Sequence, residues 1–209
     1  MTESSDSTIG GLVSVVIPTF NRRTLIKDAL ASIAVQAWGL IEVIVIDDGS
    51  DDGTGAMIAE LVESGFPWPI TYRWQHNAGP GAARNHGRCL ALGTYLYHLD
   101  SDDVMEPDAL SDLIAAMQSA EAPFAIGVVA NTDLAGARDK LEPLSRPCVL
   151  PGDIVGSRWY THAALYRRDL IDAVGGYNEA VLFYEDAELH WRILVQAGQP
   201  ALSDTVVAA

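Results

Sequence analysis

The chain has 209 residues, 49% hydrophobic and 20% charged, a composition that excludes an intrinsically disordered polymer and is ample for one domain with its own core. Its formal net charge of −15 argues against a nucleic-acid backbone as partner, since phosphate binding needs a basic face, and disfavours an anionic membrane surface. The two cysteines, Cys89 and Cys148, offer neither a disulfide framework nor a zinc cluster and fit a reducing cytoplasm, and no apolar run approaches the ~20 residues that span a bilayer.

The acidic, polar start Met1–Asp6 does not resemble a secretory signal, and residues 1–11 read as a flexible tail. The first predicted strand is 12–17, stopped by Pro18. A helix follows with Leu25, Ile26, Ala29, Leu30, Ile33 and Ala34 on one face. The β-branched run 41–46 reads as a strand buried on both faces. After the turn 47–50 comes a helix with Met57, Ile58, Leu61 and Val62 inward. Residues 70–74 and 93–99 read as strands flanking a helix at 81–92. Pro107 suits the first turn of a helix, and Leu110, Leu113, Ile114 and Met117 continue it at helical spacing. Beyond residue 120 the pattern weakens: strands at 124–130 and 161–166, a loop rich in Pro, Gly and charge at 131–156, a short helix at 168–174, and a helix at 185–197 stopped by Gly198 and Pro200. Strands alternating with helices predict an α/β fold with a mostly parallel central sheet between two helical layers. No linker divides 12–209, so it reads as one domain.

Three polar turns stand at the ends of predicted strands, where open α/β sheets bind ligands: Pro18-Thr19-Phe20-Asn21-Arg22, Asp47-Asp48-Gly49-Ser50 and Asp100-Ser101-Asp102-Asp103. Twelve of the 28 acidic residues fall in three short stretches, 47–52, 100–108 and 185–188. Carboxylates crowded at a strand end repel one another unless a cation lies between them. A hard divalent ion with oxygen ligands meets that need and keeps open positions for phosphates. The residues therefore point to a metal-dependent enzyme with a nucleotide-activated substrate. A lone Asp-Asp-Gly-Ser is also an ordinary turn and helix cap, and acids at 185–188 also suit a helix N-terminus. Gly79-Pro80-Gly81 is not a dinucleotide fingerprint, since Arg84 stands where the third glycine would be, and no Gly-Lys-Ser/Thr phosphate loop occurs.

In order along residues 12–195, these turns, together with Asn77-Ala78-Gly79-Pro80-Gly81-Ala82-Ala83-Arg84-Asn85, Gly175-Gly176-Tyr177-Asn178-Glu179 and Glu185-Asp186, resemble the inverting family 2 glycosyltransferases of GT-A fold. The resemblance implies transfer of a sugar from a nucleotide-diphosphate donor, expected to be a UDP-sugar, to an acceptor hydroxyl, with Mn²⁺ or Mg²⁺ as cofactor. It implies that 12–104 is the nucleotide-binding half and 105–209 the acceptor-binding half, and that Pro18, Thr19, Phe20, Asn21 and Arg22 border the nucleotide. Asp48 would accept from the base, with Asp47 as scaffold, while Asn77, Gly81 and Arg84 belong to the segment that closes over the nucleotide. Arg84 holds Asp48 or Asp100 in place or touches substrate. Asp100 and Ser101 lie towards the ribose, with Asp102 on the metal beside Asp100 and Asp103 as a helper. Asp186 is the expected general base, with Glu185 its neighbour or an acceptor contact; Glu188 is the other candidate.

His98 reads as structural and His190 as an ordinary surface residue on the face of Asp186; His76, His86 and His162 have no ligand spacing. Trp159, Tyr160 and Trp191 are candidate sugar platforms, and Arg192 is placed to pair with an acid or touch phosphate. No histidine follows His190, so a late histidine ligand is not expected, and water and phosphate would complete the metal shell. The expected acceptor is a glycan, a lipid-linked molecule or a small molecule, met in the cytoplasm or at the inner face of the membrane. Two alternatives stand beside this reading: a non-catalytic nucleotide- or sugar-binding module of the same fold, and a sugar-phosphate nucleotidyltransferase, which the absence of a glycine-rich first turn disfavours.

Overall fold

The β-branched runs form the central strands β1 (Ile9–Thr19) and β2 (Ile41–Asp47), paired in parallel from Val13↔Ile41 to Thr19↔Asp47. Both strands are covered on two faces, so neither alternates polar with apolar residues. Val13, Val15, Ile17, Val43 and Val45 cluster with buried residues of α1 (Leu25–Ala34), α2 (Thr54–Glu63) and α4 (Ala109–Ser119). Val16, Ile44 and Ile46 cluster instead with α3 (Pro80–Leu90), α5 (Arg168–Ala173) and α6 (Glu185–Ala197). The computed structural model describes residues 9–132, 138–140, 160–181 and 183–208.

Among the described residues the sheet adds β3 (Ile70–Trp74), β4 (Gly93–His98), β5 (Phe124–Thr132), β6 (Arg138–Lys140), β7 (Ala164–Arg167) and β8 (Ala201–Ala208). Its order is β3-β2-β1-β4-β7-β5-β6, with β8 beside β5. The first four run parallel, and β7 is antiparallel to both β4 and β5. Successive strands step outward from β1 to β3, and β4 then returns to the other side of β1. The order reverses there, so a crevice opens beyond the carboxyl ends of β1 and β4. All three polar turns lie around it.

Pro18 does not stop β1. Val16 accepts a hydrogen bond from Leu99 on the β4 side, while Thr19 accepts one from Asp48 on the β2 side. Pro18, two residues after Val16, therefore faces the β4 side, beyond β4's last paired residue, His98, and its missing N–H costs no ladder bond. Residues 9–11, expected in the tail, open β1, with Ile9 paired to Gly93. Leu25 and Val62, expected inward, are exposed because each lies at the edge of its helix's buried stripe. Pro107 stands before α4, its carbonyl occupied by the Ala37 N–H. Residues 131–132 continue β5 and 138–140 form β6; most of the predicted 131–156 loop, and Trp159, lie outside the described residues.

Helix α3 approaches β1 so closely that a Cβ at Gly87 would stand 2.3 Å from Val16 Cγ1. Gly87→Ala is expected to destabilise the fold by about 1–2 kcal/mol, overpacking outweighing the gain in helix propensity. Urea unfolding checks it, and an unchanged midpoint would mean that α3 shifts freely.

Candidate active site

The turn after β1 is fixed to the turn after β2. Asn21 adopts a left-handed backbone (φ 52°), which Asn tolerates. Its N–H donates to Ser50 Oγ (2.8 Å), and its Oδ1 accepts from the Asp51 N–H (3.0 Å). Asn21 is thus a brace between the turns, not part of the cleft wall. Asp47 accepts from Ser50 N–H on one oxygen and from Tyr72 Oη on the other, and so ties the turn to β3. Asp48 does line the cleft, yet it also accepts from Gln75 Nε2 (2.7 Å) and from the Ala78 (2.9 Å) and Gly79 (2.8 Å) N–H groups. A carboxylate has about four acceptor positions, so Asp48 keeps one for a ligand while anchoring the loop into α3.

The cleft, about 320 Å³, is lined by Pro18, Thr19, Phe20, Arg22, Asp48, Asn77, Arg84, Asp100, Ser101 and Asp102 among others. That volume suits a small-molecule site. Thr19 is 3% exposed, and its Oγ1 has no hydrogen-bond partner. A buried hydroxyl left unpaired costs free energy unless a ligand completes it. Gly81 is not in the lining. It packs beneath Tyr177 and Glu185, a Cβ there falling 3.5 Å from Tyr177 Cβ.

Arg84 is the hub. Its buried guanidinium donates to Asp100 Oδ1 (2.6 Å) and Glu185 Oε1 (2.9 Å) and lies 5.2 Å from the Tyr177 ring centroid. Burial opposes its charge, but Asp100, Tyr177 and Glu185 outweigh it and keep it protonated. Burial would raise the Asp100 carboxyl; the Arg84 charge, with His162, instead holds it well below the usual carboxylate range. Asp102, in the cleft wall, forms an ion pair there with Arg22 (2.8 Å), both side chains about half exposed. Asp103 Oδ2 lies 2.7 Å from His162 Nδ1. Asp100, Asp103 and His162 offer ligand atoms all within 4.8 Å of one another. His162 carries no spacing signal in the sequence, because the fold alone brings it, from the 3₁₀ turn Thr161–Ala163 before β7, to the acids after β4.

Glu185, tied to Arg84, and Asp186 open α6. Asp186 is half-buried, and its Oδ1 accepts from the Ala187 N–H (2.8 Å). Burial, reinforced by Glu185, raises its carboxyl above the ordinary value against the opposing pulls of that N–H and Arg84. His190 is not a surface residue: it is 1% exposed, with Nε2 3.0 Å from Tyr166 Oη, and burial keeps it neutral. His98 is buried too, 3.3 Å from Tyr177 Oη, and burial lowers it to about 3. Arg192 pairs with Glu188 and donates to the Val174 and Gly176 carbonyls, so it holds the 174–176 turn against α6.

Fold and cleft define a GT-A-type α/β domain with a nucleotide-sized crevice. The family model described as "Glycosyl transferase family 2" matches residues 14–175. The chain belongs to that family. It is 35% identical over 115 residues to Glycosyltransferase GlyA of Streptococcus pneumoniae serotype 4, covering 55% of this chain and 16% of that protein. It is 34% identical over 113 residues to the GalNAc(5)-diNAcBac-PP-undecaprenol beta-1,3-glucosyltransferase of Campylobacter jejuni, covering 54% of this chain and 36% of that protein. The chain therefore spans well under two thirds of these relatives' length. The structure of S. aureus TarS 1-349 in complex with UDP-GlcNAc shares the fold, with TM-score 0.78 at 22% identity over 94% of this chain and 57% of that one. So does the mannosyltransferase PcManGT from Pyrobaculum calidifontis in complex with GDP-Man and Mn²⁺, with TM-score 0.75 at 20% identity over 97% and 57%. No helix among the described residues is long and apolar enough to cross a membrane.

Proposed function

We propose that the chain is an inverting, cation-dependent glycosyl transfer domain that moves a sugar from a nucleotide-diphosphate sugar, a UDP-sugar by preference, to an acceptor hydroxyl. The observation that carries the reading is the convergence, at the switch point of the sheet, of an unpaired buried hydroxyl (Thr19) and an acidic turn (100–102), with Arg84 bridging Asp100 to Glu185 at the start of α6, next to Asp186 in the chain. The fold neighbours crystallised with UDP-GlcNAc and with GDP-Man and Mn²⁺ support the donor class. The undecaprenol-linked substrate in the Campylobacter relative's name supports a glycan or lipid-linked acceptor.

In this reading Thr19 and the free position on Asp48 bind the base. Asp48 also keeps the 75–79 loop, with Asn77, over the nucleotide, and Asp100 is oriented by Arg84. A divalent cation at the acidic turn supplies charge stabilisation for the departing diphosphate. Asp186 takes the proton of the acceptor hydroxyl as its oxygen forms a bond to the anomeric carbon. The bond from that carbon to the diphosphate oxygen breaks with its electron pair, from the opposite face, so the anomeric configuration inverts. Glu185 stays on Arg84 and orders the start of α6.

The base must be ionised, and burial holds the Asp186 carboxyl above an ordinary aspartate's ~3.9. The acid limb of kcat/KM is therefore expected to rise with pH through a midpoint above ~3.9. A limb at or below that value would show that another group is the base. Release of the nucleoside diphosphate from a panel of nucleotide sugars, with Mn²⁺ and with chelator, tests the function itself.

A further inference from the structure

Asp48 lines the cleft, but most of its hydrogen-bonding capacity is taken up by the loop into α3. Its Oδ1 accepts from the Gln75 Nε2 amide (2.7 Å) and the Ala78 N–H (2.9 Å), and its Oδ2 from the Gly79 N–H (2.8 Å). Each carboxylate oxygen has two lone-pair positions, so Oδ1 is full and one position stays open, on Oδ2. Gln75 is itself held in place. Its Oε1 lies 2.7 Å from His86 Nδ1, and its backbone N–H donates to the Asp47 carbonyl (2.9 Å). We propose that Gln75 and His86, neither of which lines the cleft, form a relay that keeps Asp48 Oδ1 closed and thereby sets the base preference of the site, for uracil and against guanine. The inference deepens the glycosyl-transfer reading and rests on its placing of the base at Asp48.

The protons of the relay follow from the chemistry of its members. A carboxylate only accepts, so the Gln75 amide turns its N–H₂ towards Asp48 and its carbonyl towards His86. A carbonyl also only accepts, so His86 Nδ1 carries a proton, and in the neutral ring Nε2 keeps the lone pair. His86 stands on the face of α3 opposite the crevice. Pro80, Ala83 and Arg84 line the crevice, whereas Ala82, Asn85 and His86 line a separate groove that Gln75 also borders. Both residues therefore act through Asp48.

The preference follows from counting donors. Uracil presents one N–H between two carbonyls, and the single open position on Oδ2 meets it. Guanine presents two neighbouring N–H groups, at N1 and on the 2-amino group, which a carboxylate reads by giving one oxygen to each. With Oδ1 occupied by Gln75 and Ala78, one guanine N–H loses its acceptor, which costs about 10–100-fold in affinity. The groups that close Oδ1 select against the wrong base without touching it.

Calorimetric titration of UDP and of GDP into the full chain, in Mn²⁺, tests the relay. The wild type is expected to bind UDP about 10–100-fold more tightly than GDP. Gln75→Leu opens a position on Oδ1, and the ratio is expected to fall at least about fivefold, chiefly through tighter GDP. His86→Leu frees the amide to swing away and should lower the ratio in the same direction. His86→Asn, whose amide N–H₂ can stand where Nδ1 does, should restore it. A merely structural role would weaken UDP and GDP together, and an unmoved ratio in Gln75→Leu would overturn the proposal. So would a wild type that binds GDP as well as UDP, or ¹⁵N spectra showing the neutral His86 ring protonated at Nε2 instead of Nδ1. The functional reading fails separately: neither nucleotide binds although His86 keeps its Nδ1 proton, and the proposal falls with it.

Discussion

Asp186→Asn is expected to lower sugar transfer by about 10²–10⁴-fold while leaving donor affinity within about twofold. The substitution is nearly isosteric, and the Asn oxygen can still accept from the Ala187 N–H, so the start of α6 is preserved. What the proposed mechanism loses is the carboxylate that would take the acceptor's proton. Burial raises the carboxyl, which would make it a stronger base than a solvated aspartate. Steady-state kinetics with an acceptor, alongside calorimetric donor binding, separates the two effects. A full loss of donor binding would assign Asp186 to the donor site, and normal transfer would remove it from the chemistry. The same measurement on Glu185→Gln should show weaker folding instead, because that carboxylate is bonded to Arg84.

Arg84→Met is expected to cost about 3–5 kcal/mol of stability, a large share of the ~5–15 kcal/mol that holds a domain folded. The side chain is 5% exposed and is the cation shared by Asp100 and Glu185. Removing it leaves two carboxylates facing one another in a poorly solvated space. Arg84→Lys should recover only part of the loss, because one ammonium cannot present the planar fork that reaches both. Urea denaturation of the three proteins checks this. A loss below ~1 kcal/mol for Arg84→Met would mean that water replaces the guanidinium and that Asp100 is not oriented through it.

The sequence carried the scaffold and most of the cleft because both depend on local patterns. The β-branched runs around Val15 and Val43 announced buried strands, and the polar turns just beyond them could stand nowhere but at the strand ends. Long-range partners were not legible. Nothing near Asp48 reveals that the Ala78 and Gly79 N–H groups need its oxygens. His190 stands four residues after Asp186 on α6, which alone allows a surface position; Tyr166 from β7 covers it and supplies its partner. Asn21 and Gly81 sit in the motif segments, but one braces two turns and the other lets α3 pass beneath Tyr177, roles that depend on backbone geometry. The His162–Asp103 ion pair was not legible either, since His162 reaches Asp103 from the turn before β7, an antiparallel strand whose pairing with β4 no spacing encodes.

Calorimetric titration of UDP into the protein, in Mn²⁺ and then in chelator, tests the central claim most directly. The account predicts saturable binding in Mn²⁺ that weakens about tenfold or more, ~1.4 kcal/mol, when the ion is removed. Equal affinity in both buffers, or no heat in either, would contradict a cation-assisted nucleotide site in this cleft.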